Sequence, residues 1–428
     1  MRIQINRTTR RIAGVLLLLL LSVTSYGATA GNIEGTWHGT LKLNAMKLSI
    51  VMHFSDNACT LDSPDQGAKG IKGEVREITA EKVDVAFPTL NATYTGVLKD
   101  GKIEGTFTQM GYKLPLVLEE GQPVRIRPQT PQPPFPYQTE EVTFVNTEDS
   151  ASLAGTLTYP VGYNSKRKVP VVIMVTGSGL QNRDEELFEH KPFLVIADFL
   201  ARNGIASLRY DDRGAGLSTG DIENVTTEGF CRDAAAGIAF LRKTGHFSKI
   251  GVLGHSEGGS IAFMLAAQKK CDFIVSMAGP GLRGDSIIVE QTNELLRQQG
   301  QPATMTVRQM RLTMLLQKTN PWYDYFVDFD PAPVIKQIKC PALLLNGDKD
   351  SQVMAVSNIP VIRALLSDNE KHQLPDNQVI KVYPGLNHLF QHCTTGMPAE
   401  YGSIEETISE EVLHDIAEWI KNTTISKQ

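Results

Sequence analysis

Residues 252–259 are Val-Leu-Gly-His-Ser-Glu-Gly-Gly, which contains the pattern G-x-S-x-G. A short apolar run at 250–253 precedes the pattern, and a run typical of a helix, 260–268, follows it. A strand, a sharp turn and a helix are therefore predicted. Glycines at 254 and 258 would leave room for the turn, and Ser256 would sit on it with its hydroxyl exposed. The helix start would offer N–H groups to a developing negative charge.

A serine hydroxyl needs a base to take its proton, and the base needs an acid to orient it. In the hydrolase version of this turn the chain order is serine, acid, histidine. A predicted buried strand at 341–346 runs into a turn that carries Asp350, and a second predicted strand at 379–383 leads to His388. Because ligands gather at the carboxyl ends of parallel strands, the sequence predicts a catalytic triad of Ser256, Asp350 and His388.

Three other residues compete for these roles. Asp348 lies in the same turn as Asp350, but its position favours local hydrogen bonds to the backbone. His255 lies inside the elbow and cannot easily swing onto the hydroxyl of its neighbour. His392 is the alternative base if His388 is not in place.

An oxyanion hole is predicted after a third apolar strand, 171–175. The loop that follows, Thr176-Gly177-Ser178-Gly179, should donate one N–H group, and Glu257 should donate the other. Ser178 and Gly179 are both candidates, and the sequence alone does not separate them. The charged residues that follow, 183–185, are expected either to pair with one another or with the loop, or to form a solvated cluster.

The remaining pattern is one of alternating strands and helices, which predicts a mostly parallel sheet covered on both faces. The alternation stops between about residues 281 and 333, where two amphipathic helices (286–299 and 307–318) and an aromatic cluster (322–326) predict a helical cap. A final helix, at about 404–421, should pack on the sheet.

From about residue 138 to the end, the chain resembles the α/β-hydrolase superfamily. It is similar to bacterial secreted esterases of the serine-aminopeptidase-like branch that carry an N-terminal β extension. The resemblance rests on the elbow, on Asp350, and on the segments Thr176-Gly177-Ser178-Gly179, 183–185, 210–218 and Gly385-Leu386-Asn387-His388. It implies carboxylesterase chemistry on an acyl ester. One departure is Thr176, which replaces the histidine usual before the oxyanion glycine.

The N-terminal part of the sequence predicts where the protein is located and that it has a second domain. Four arginines precede an apolar run at 15–21, and Ala28-Thr29-Ala30 is typical of a cleavage site, so residues 1–30 are predicted to be a signal peptide of a secreted or periplasmic protein. The apolar run is too short for a convincing membrane span. Residues 31–122 predict a small antiparallel β domain, and the proline-rich residues 123–137 predict a stiff linker.

Charge and cysteine content narrow the possible partners. Loss of the four arginines with the signal peptide takes the net charge from −5 to about −9, which argues against nucleic acid as a partner. The five cysteines are scattered, without metal or redox spacing, and imply no disulfide framework. The sequence does not indicate the oligomeric state.

The predicted function is hydrolysis of a small-molecule ester through an acyl-enzyme, without a metal or an organic cofactor. A serine peptidase would use the same triad. A hydrolase of acyl thioesters is a further alternative, although relatives of the bile-acid type usually place cysteine where this chain has Ser256. Outside enzymes, the chain could be an envelope-binding module with a vestigial hydrolase domain, which the complete set of catalytic segments argues against.

Overall fold

The computed structural model describes residues 33–43, 46–55, 58–64, 68–122, 126–316, 319–367 and 373–424. The predicted signal peptide, residues 1–30, lies outside these ranges. The chain forms two compact units, Met1–Val124 and Arg125–Gln428. Among the helices that the structure describes, none combines the length and the apolar character needed to cross a bilayer.

The first unit contains a closed antiparallel barrel of eight strands, each paired with its neighbours in chain order. The stretches 33–37 and 103–107, which share the pattern Ile-Glu-Gly-Thr-aromatic, fall at the first and the seventh strand of this barrel. The strands are β1 (Gly35–Leu43), β2 (Met46–Ser55), β3 (Ala58–Ser63), β4 (Ala68–Ile78), β5 (Lys82–Phe87), β6 (Ala92–Lys99), β7 (Lys102–Gln109) and β8 (Tyr112–Glu120).

The barrel closes around a core of its own because alternate residues of each strand point inward. Strand β3 shows this period of two, with Cys59, Leu61 and Ser63 buried. Two large aromatic side chains with polar groups lie inside, and each donates a hydrogen bond to the backbone. Trp37 Nε1 donates to Ile33 O at 2.9 Å, and Tyr94 Oη lies 3.2 Å from the carbonyl oxygens of Ile103 and Leu116.

The second unit is built on an eight-stranded sheet with the order β16-β15-β14-β13-β11-β12-β10-β9. Strand β10 is antiparallel to both of its neighbours, β9 and β12. The remaining pairs, which join β12, β11, β13, β14, β15 and β16 in that order, are parallel. The strands are β9 (Thr139–Asn146), β10 (Ala151–Thr158), β11 (Val169–Val175), β12 (Ala206–Tyr210), β13 (Phe247–His255), β14 (Phe273–Met277), β15 (Ala342–Gly347) and β16 (Gln378–Tyr383).

Helices cover both faces of this sheet, so its central strands are apolar on both sides. Along β11, Ile173 packs in one core cluster and Val172 in the other. The described helices are α1 (Pro192–Arg202), α2 (Thr227–Thr244), α3 (Glu257–Ala267), α4 (Gly284–Gln298), α5 (Val307–Leu316), α6 (Pro321–Asp328), α7 (Ala332–Ile335), α8 (Ala355–Leu366), α9 (Pro398–Tyr401) and α10 (Glu410–Thr424).

The predicted fold class is confirmed: a mostly parallel α/β sheet follows a small antiparallel β unit. Helices α4 to α7 occupy the interval predicted for the cap, between β14 and β15. These helices interrupt the alternation of strand and helix at the carboxyl edge of the sheet, which is where ligands bind in such folds.

Two predicted boundaries differ from the structure for one shared reason. The linker prediction ran to residue 137, and the last helix was predicted from about residue 404. Instead, Arg127 donates to the carbonyls of Gly402 and Ile404 at 2.8 and 2.9 Å, and Gln129 Oε1 accepts from Thr407 N at 2.6 Å. The segment from residue 126 is therefore bound to the second unit, and Gln129 holds Thr407 and Ile408, before Glu410, in bends rather than in a helix.

Candidate active site

The predicted elbow lies at the junction of β13 and α3. Ser256 adopts φ 53° and ψ −115°, a left-handed conformation that costs a residue other than glycine about 1–3 kcal/mol. The turn is fixed by hydrogen bonds from Ser256 N to Met277 O at 2.8 Å and from Gly259 N to Ser256 O at 2.9 Å. The serine is therefore held at the end of the strand by its backbone.

The two glycines of the motif have no room for a side chain. A Cβ on Gly254 would lie 1.9 Å from Gly258 O, and a Cβ on Gly258 would lie 2.1 Å from Val175 O. Both obstacles are backbone atoms, which cannot rotate away. The elbow therefore requires glycine at both positions, as the sequence pattern predicts.

Asp350 and His388 meet at the carboxyl ends of β15 and β16. Asp350 Oδ2 lies 2.8 Å from His388 Nδ1, and both side chains are buried. The other carboxylate oxygen, Oδ1, accepts from the backbone N–H groups of Gln352 and Val353 at 2.8 Å each. Asn346 Nδ2 adds a contact of 3.2 Å to Oδ2. The carboxylate is thus fixed in place, and it orients the imidazole.

The competing candidates lie elsewhere. Asp348 Oδ1 accepts from Gly385 N at 2.7 Å and braces the turns that follow β15 and β16. His392 is exposed over 67% of its side chain and pairs with Glu406 at 2.9 Å. Neither residue takes part in the buried contact between the Asp350 carboxylate and the His388 imidazole.

His255 is buried and connects the elbow to His388. Its Nδ1 lies 2.9 Å from Glu185 Oε1, and its Nε2 lies 2.9 Å from the carbonyl oxygen of His388. Burial alone would lower the pKa of His255, but the Glu185 carboxylate and the His388 carbonyl outweigh it and raise the pKa. Since both partners are acceptors, a charged imidazole that donates from both nitrogens fits this position.

The predicted oxyanion loop follows β11. The Gly177 N–H group is already bound to Glu185 Oε1 at 2.7 Å, so it is not available to a ligand. Ser178 and Gly179 are exposed, and Gly179 has a φ of +96°. Glu257 is the first residue of α3, where N–H groups have no partner within the helix. The structure thus brings both predicted loop donors and Glu257 to the same edge of the sheet.

Thr176, the departure from the usual histidine, is anchored on a buried acid. Its Oγ1 donates to both oxygens of Asp212 at 3.0 and 2.9 Å, and Asp212 Oδ2 also accepts from Gln181 N at 2.9 Å. Burial, reinforced by the charges of Glu185 and Glu257, raises the pKa of Asp212 to about 8. The Asp212 carboxyl therefore holds the base of the loop through bonds that it accepts from Thr176 and Gln181.

The charged residues 183–185 do not pair with one another. Arg183 forms a bidentate contact with Asp211, at 3.1 and 2.8 Å. Asp184 pairs with Arg209. Glu185 contacts Gly177 N and His255 Nδ1. Each residue reaches a different part of the fold. No short-range pattern in the sequence indicates these partners, because their positions depend on the packing of the finished sheet.

The contacts of the Glu257 side chain are also not predicted by the sequence. It is 3% exposed, and its Oε1 accepts from Thr227 Oγ1 at 2.6 Å and from Trp322 Nε1 at 2.9 Å. The Ser178 side chain also interacts with this carboxyl and opposes the rise of its pKa. Trp322, part of the predicted aromatic cluster, stacks on Phe326 with ring centroids 5.7 Å apart. Its indole therefore packs between the cap and the elbow.

The chain is similar to several known proteins. Residues 190–320 match the family model described as serine aminopeptidase, S33. Esterase EstD of Thermotoga maritima is 27% identical over 339 residues, which cover 75% of this chain and 74% of that protein. A solved esterase of Pyrococcus furiosus, PF2001, is 18% identical with a TM-score of 0.47, over 71% of this chain and 100% of its own. Est1E of Butyrivibrio proteoclasticus, solved with ferulic acid, is 17% identical with a TM-score of 0.44, over 66% and 99%.

Asp212→Asn should flatten the dependence of stability on pH. With a pKa of about 8 in the folded chain and an ordinary acidic value in the unfolded chain, Asp212 keeps a proton on folding that the unfolded state releases. Between about pH 4 and 8 stability should therefore fall as pH rises, by at most about 1.4 kcal/mol per pH unit from this group. The melting temperature at pH 6 and pH 8 measures the effect.

The exposed Asp376 provides the control for this experiment. We expect wild type and Asp376→Asn to lose melting temperature in parallel over this range, and Asp212→Asn to lose less. Equal losses in all three proteins would show that Asp212 is ionised in the folded chain across the range.

Proposed function

We propose that this α/β-hydrolase cleaves carboxylic esters through an acyl-enzyme on Ser256. The observation that carries the proposal is the 2.8 Å contact between Asp350 and His388, together with the left-handed elbow at Ser256, whose neighbour His255 contacts the His388 carbonyl at 2.9 Å. The carboxylate can only accept, so His388 carries its proton on Nδ1, and Nε2 keeps a lone pair for the serine proton. The esterase relative supports ester bonds as the substrate class.

The proposed reaction has two halves. His388 Nε2 removes the proton of Ser256 as Oγ attacks the ester carbonyl, and the oxyanion is bound by Glu257 N–H and by the N–H of Ser178 or Gly179. The tetrahedral intermediate collapses, and His388 gives its proton to the leaving alcohol. A water molecule, deprotonated by His388, then attacks the acyl-enzyme and releases the acid. Neither half uses a metal or an organic cofactor.

A peptidase is the second candidate, favoured by the description of the matching family model. The triad chemistry is the same for an amide, so the difference lies in the leaving group and in the pocket that receives it. Ester, thioester and amide substrates that share the same acyl group separate these functions, because they differ only in the atom that joins the leaving group to the carbonyl: oxygen, sulfur or nitrogen.

Ser256→Ala should reduce hydrolysis of p-nitrophenyl esters by at least about 10³-fold, since it removes the nucleophile. Wild type and variant are compared with acyl chains from acetate to long chains, which also sizes the acyl pocket. Ser260→Ala, a change of the same kind in the first turns of α3, is the matched control and should keep activity within a few fold. Equal activity of Ser256→Ala and wild type would refute the assigned nucleophile.

Asp350→Asn should lower kcat by about 10⁴-fold while the fold persists. The amide that replaces the carboxylate can donate to His388 Nδ1, which moves the imidazole proton to Nε2 and removes the base. Asp348→Asn is the matched control, because Asp348 contacts Gly385 N rather than the imidazole, and it should change kcat only a few fold. The reverse ranking of the two variants would transfer the acid role to Asp348.

We also propose that the enzyme acts outside the cytoplasm, in the periplasm or after secretion. The support is the arginine-rich start, the apolar run and the small residues up to Ala30. Mass spectrometry of the protein from the envelope and culture fractions should find a mature chain that begins at Gly31. A Leu18→Arg variant, with the apolar run broken, should retain residues 1–30 and stay inside the cell. Recovery of wild type as an uncut cytoplasmic chain would overturn the proposal.

A further inference from the structure

The carboxyl group of Glu257 joins three separate segments of the hydrolase unit. Thr227 belongs to the first turn of α2, Trp322 to the cap helix α6, and Ser178 to the predicted oxyanion loop. Thr227 Oγ1 and Trp322 Nε1 donate to this one carboxyl, and the Ser178 side chain interacts with it and opposes the rise of its pKa. Glu257 is also the residue that offers its backbone N–H as an oxyanion donor. One residue thus contributes to one side of the hole and holds the other side through its side chain.

The three partners of this carboxyl are neutral donors. Burial raises the pKa of Glu257, and the interactions with Thr227, Trp322 and Ser178 oppose that shift. A buried carboxyl depends strongly on such donors, because an unmet acceptor in the interior costs far more than one in water. Loss of Trp322 from its place would therefore disturb the geometry of the other two contacts.

The predicted oxyanion loop is held by hydrogen bonds to buried acids. A small cavity lies between the loop and Glu257, and its lining includes Gly177, Gly179, Asp212 and Phe230. Hydrogen bonds from Thr176 Oγ1 and Gln181 N to Asp212 and from Gly177 N to Glu185 hold the loop, and the Ser178 side chain interacts with the Glu257 carboxyl.

We propose that Glu257 is a positioning residue that couples the seating of the cap to the geometry of the oxyanion hole. When Trp322 is docked on the carboxyl, Ser178 is drawn onto the same group and the loop amides are aligned with Glu257 N–H. When the cap lifts, the alignment is lost. A substrate that seats the cap therefore completes the oxyanion hole around its own carbonyl. The inference rests on the proposed ester hydrolysis.

The test compares Glu257→Gln, Trp322→Phe and the double variant in the full mature chain. Glutamine keeps the shape, but its NH₂ group replaces Oε2, which accepts a second contact from Trp322 Nε1 at 3.2 Å, and an NH₂ group cannot accept from the indole. Phenylalanine keeps a ring and loses the indole N–H. With p-nitrophenyl acetate, we expect each single variant to lower kcat roughly 10- to 100-fold and to change KM less than about 3-fold. The double variant should be no slower than Glu257→Gln, because both changes break one linkage.

Two controls separate this linkage from general damage. Trp419→Phe removes an indole from α10, packed against Phe273. Glu290→Gln changes a half-buried acid of the cap helix α4, whose partner is Ser357. Both controls should keep kcat within a few fold. Inhibition by an aryl trifluoromethyl ketone, which forms an oxyanion on the serine, should weaken in Glu257→Gln and Trp322→Phe by the same factor as kcat.

A fluorescence measurement tests the linkage without any hydrolysis. The chain has three tryptophans, so a variant that carries both Trp37→Phe and Trp419→Phe reports on Trp322 alone. Adding Glu257→Gln should shift its emission to longer wavelength and increase quenching by acrylamide, with the melting temperature checked in both proteins.

The possible results separate the inference from the proposed function. An active wild type whose Glu257→Gln and Trp322→Phe variants keep kcat, or whose double variant shows the full product of the two losses, overturns the coupling and leaves ester hydrolysis intact. An unchanged Trp322 emission also overturns it. A wild type that is as inactive as Ser256→Ala on esters refutes the proposed function, and the fluorescence result then stands by itself.

Discussion

The close approach of backbone to backbone at the elbow is the constraint on which the site depends. A Cβ at Gly254 or Gly258 would lie about 2 Å from a carbonyl oxygen, so β13 and α3 meet only because both positions carry glycine. The same junction forces Ser256 into its left-handed conformation and directs the start of α3 to the carboxyl edge of the sheet. The proposed nucleophile and the proposed oxyanion donor are thus placed by the same junction of strand and helix.

Buried ionisable groups surround this junction, and each is held by a different kind of partner. His255 lies between a carboxylate and a carbonyl, Asp350 between backbone amides and His388, and Glu257 among neutral donors. Unpaired groups of this kind would be costly in the interior. Their hydrogen bonds connect the elbow, the acid loop, the oxyanion loop and the cap. The precision of the site therefore comes from this polar network rather than from the three proposed catalytic side chains alone.

The sequence predicts the parts of this arrangement that follow from local patterns. The glycine spacing fixes the elbow, and apolar runs with a turn behind them indicate where Asp350 and His388 emerge. It does not predict Glu185 beside His255, because these residues are 70 positions apart and meet only in the finished sheet. The inward turn of the Glu257 side chain is missed for a similar reason, since an acid in the first turn of a helix is usually explained by the helix dipole. The late start of α10 depends on Gln129, far away in the chain.

The central claim is that Ser256 is a nucleophile activated by His388 and Asp350. Its most direct test is a fluorophosphonate, which reacts only with an activated serine and leaves a stable adduct. After brief exposure of the folded protein, peptide mapping should find one phosphonylated residue, Ser256, and labelling should be lost in His388→Ala. A label on another serine, or equal labelling of Ser256 after denaturation and in His388→Ala, would contradict the account.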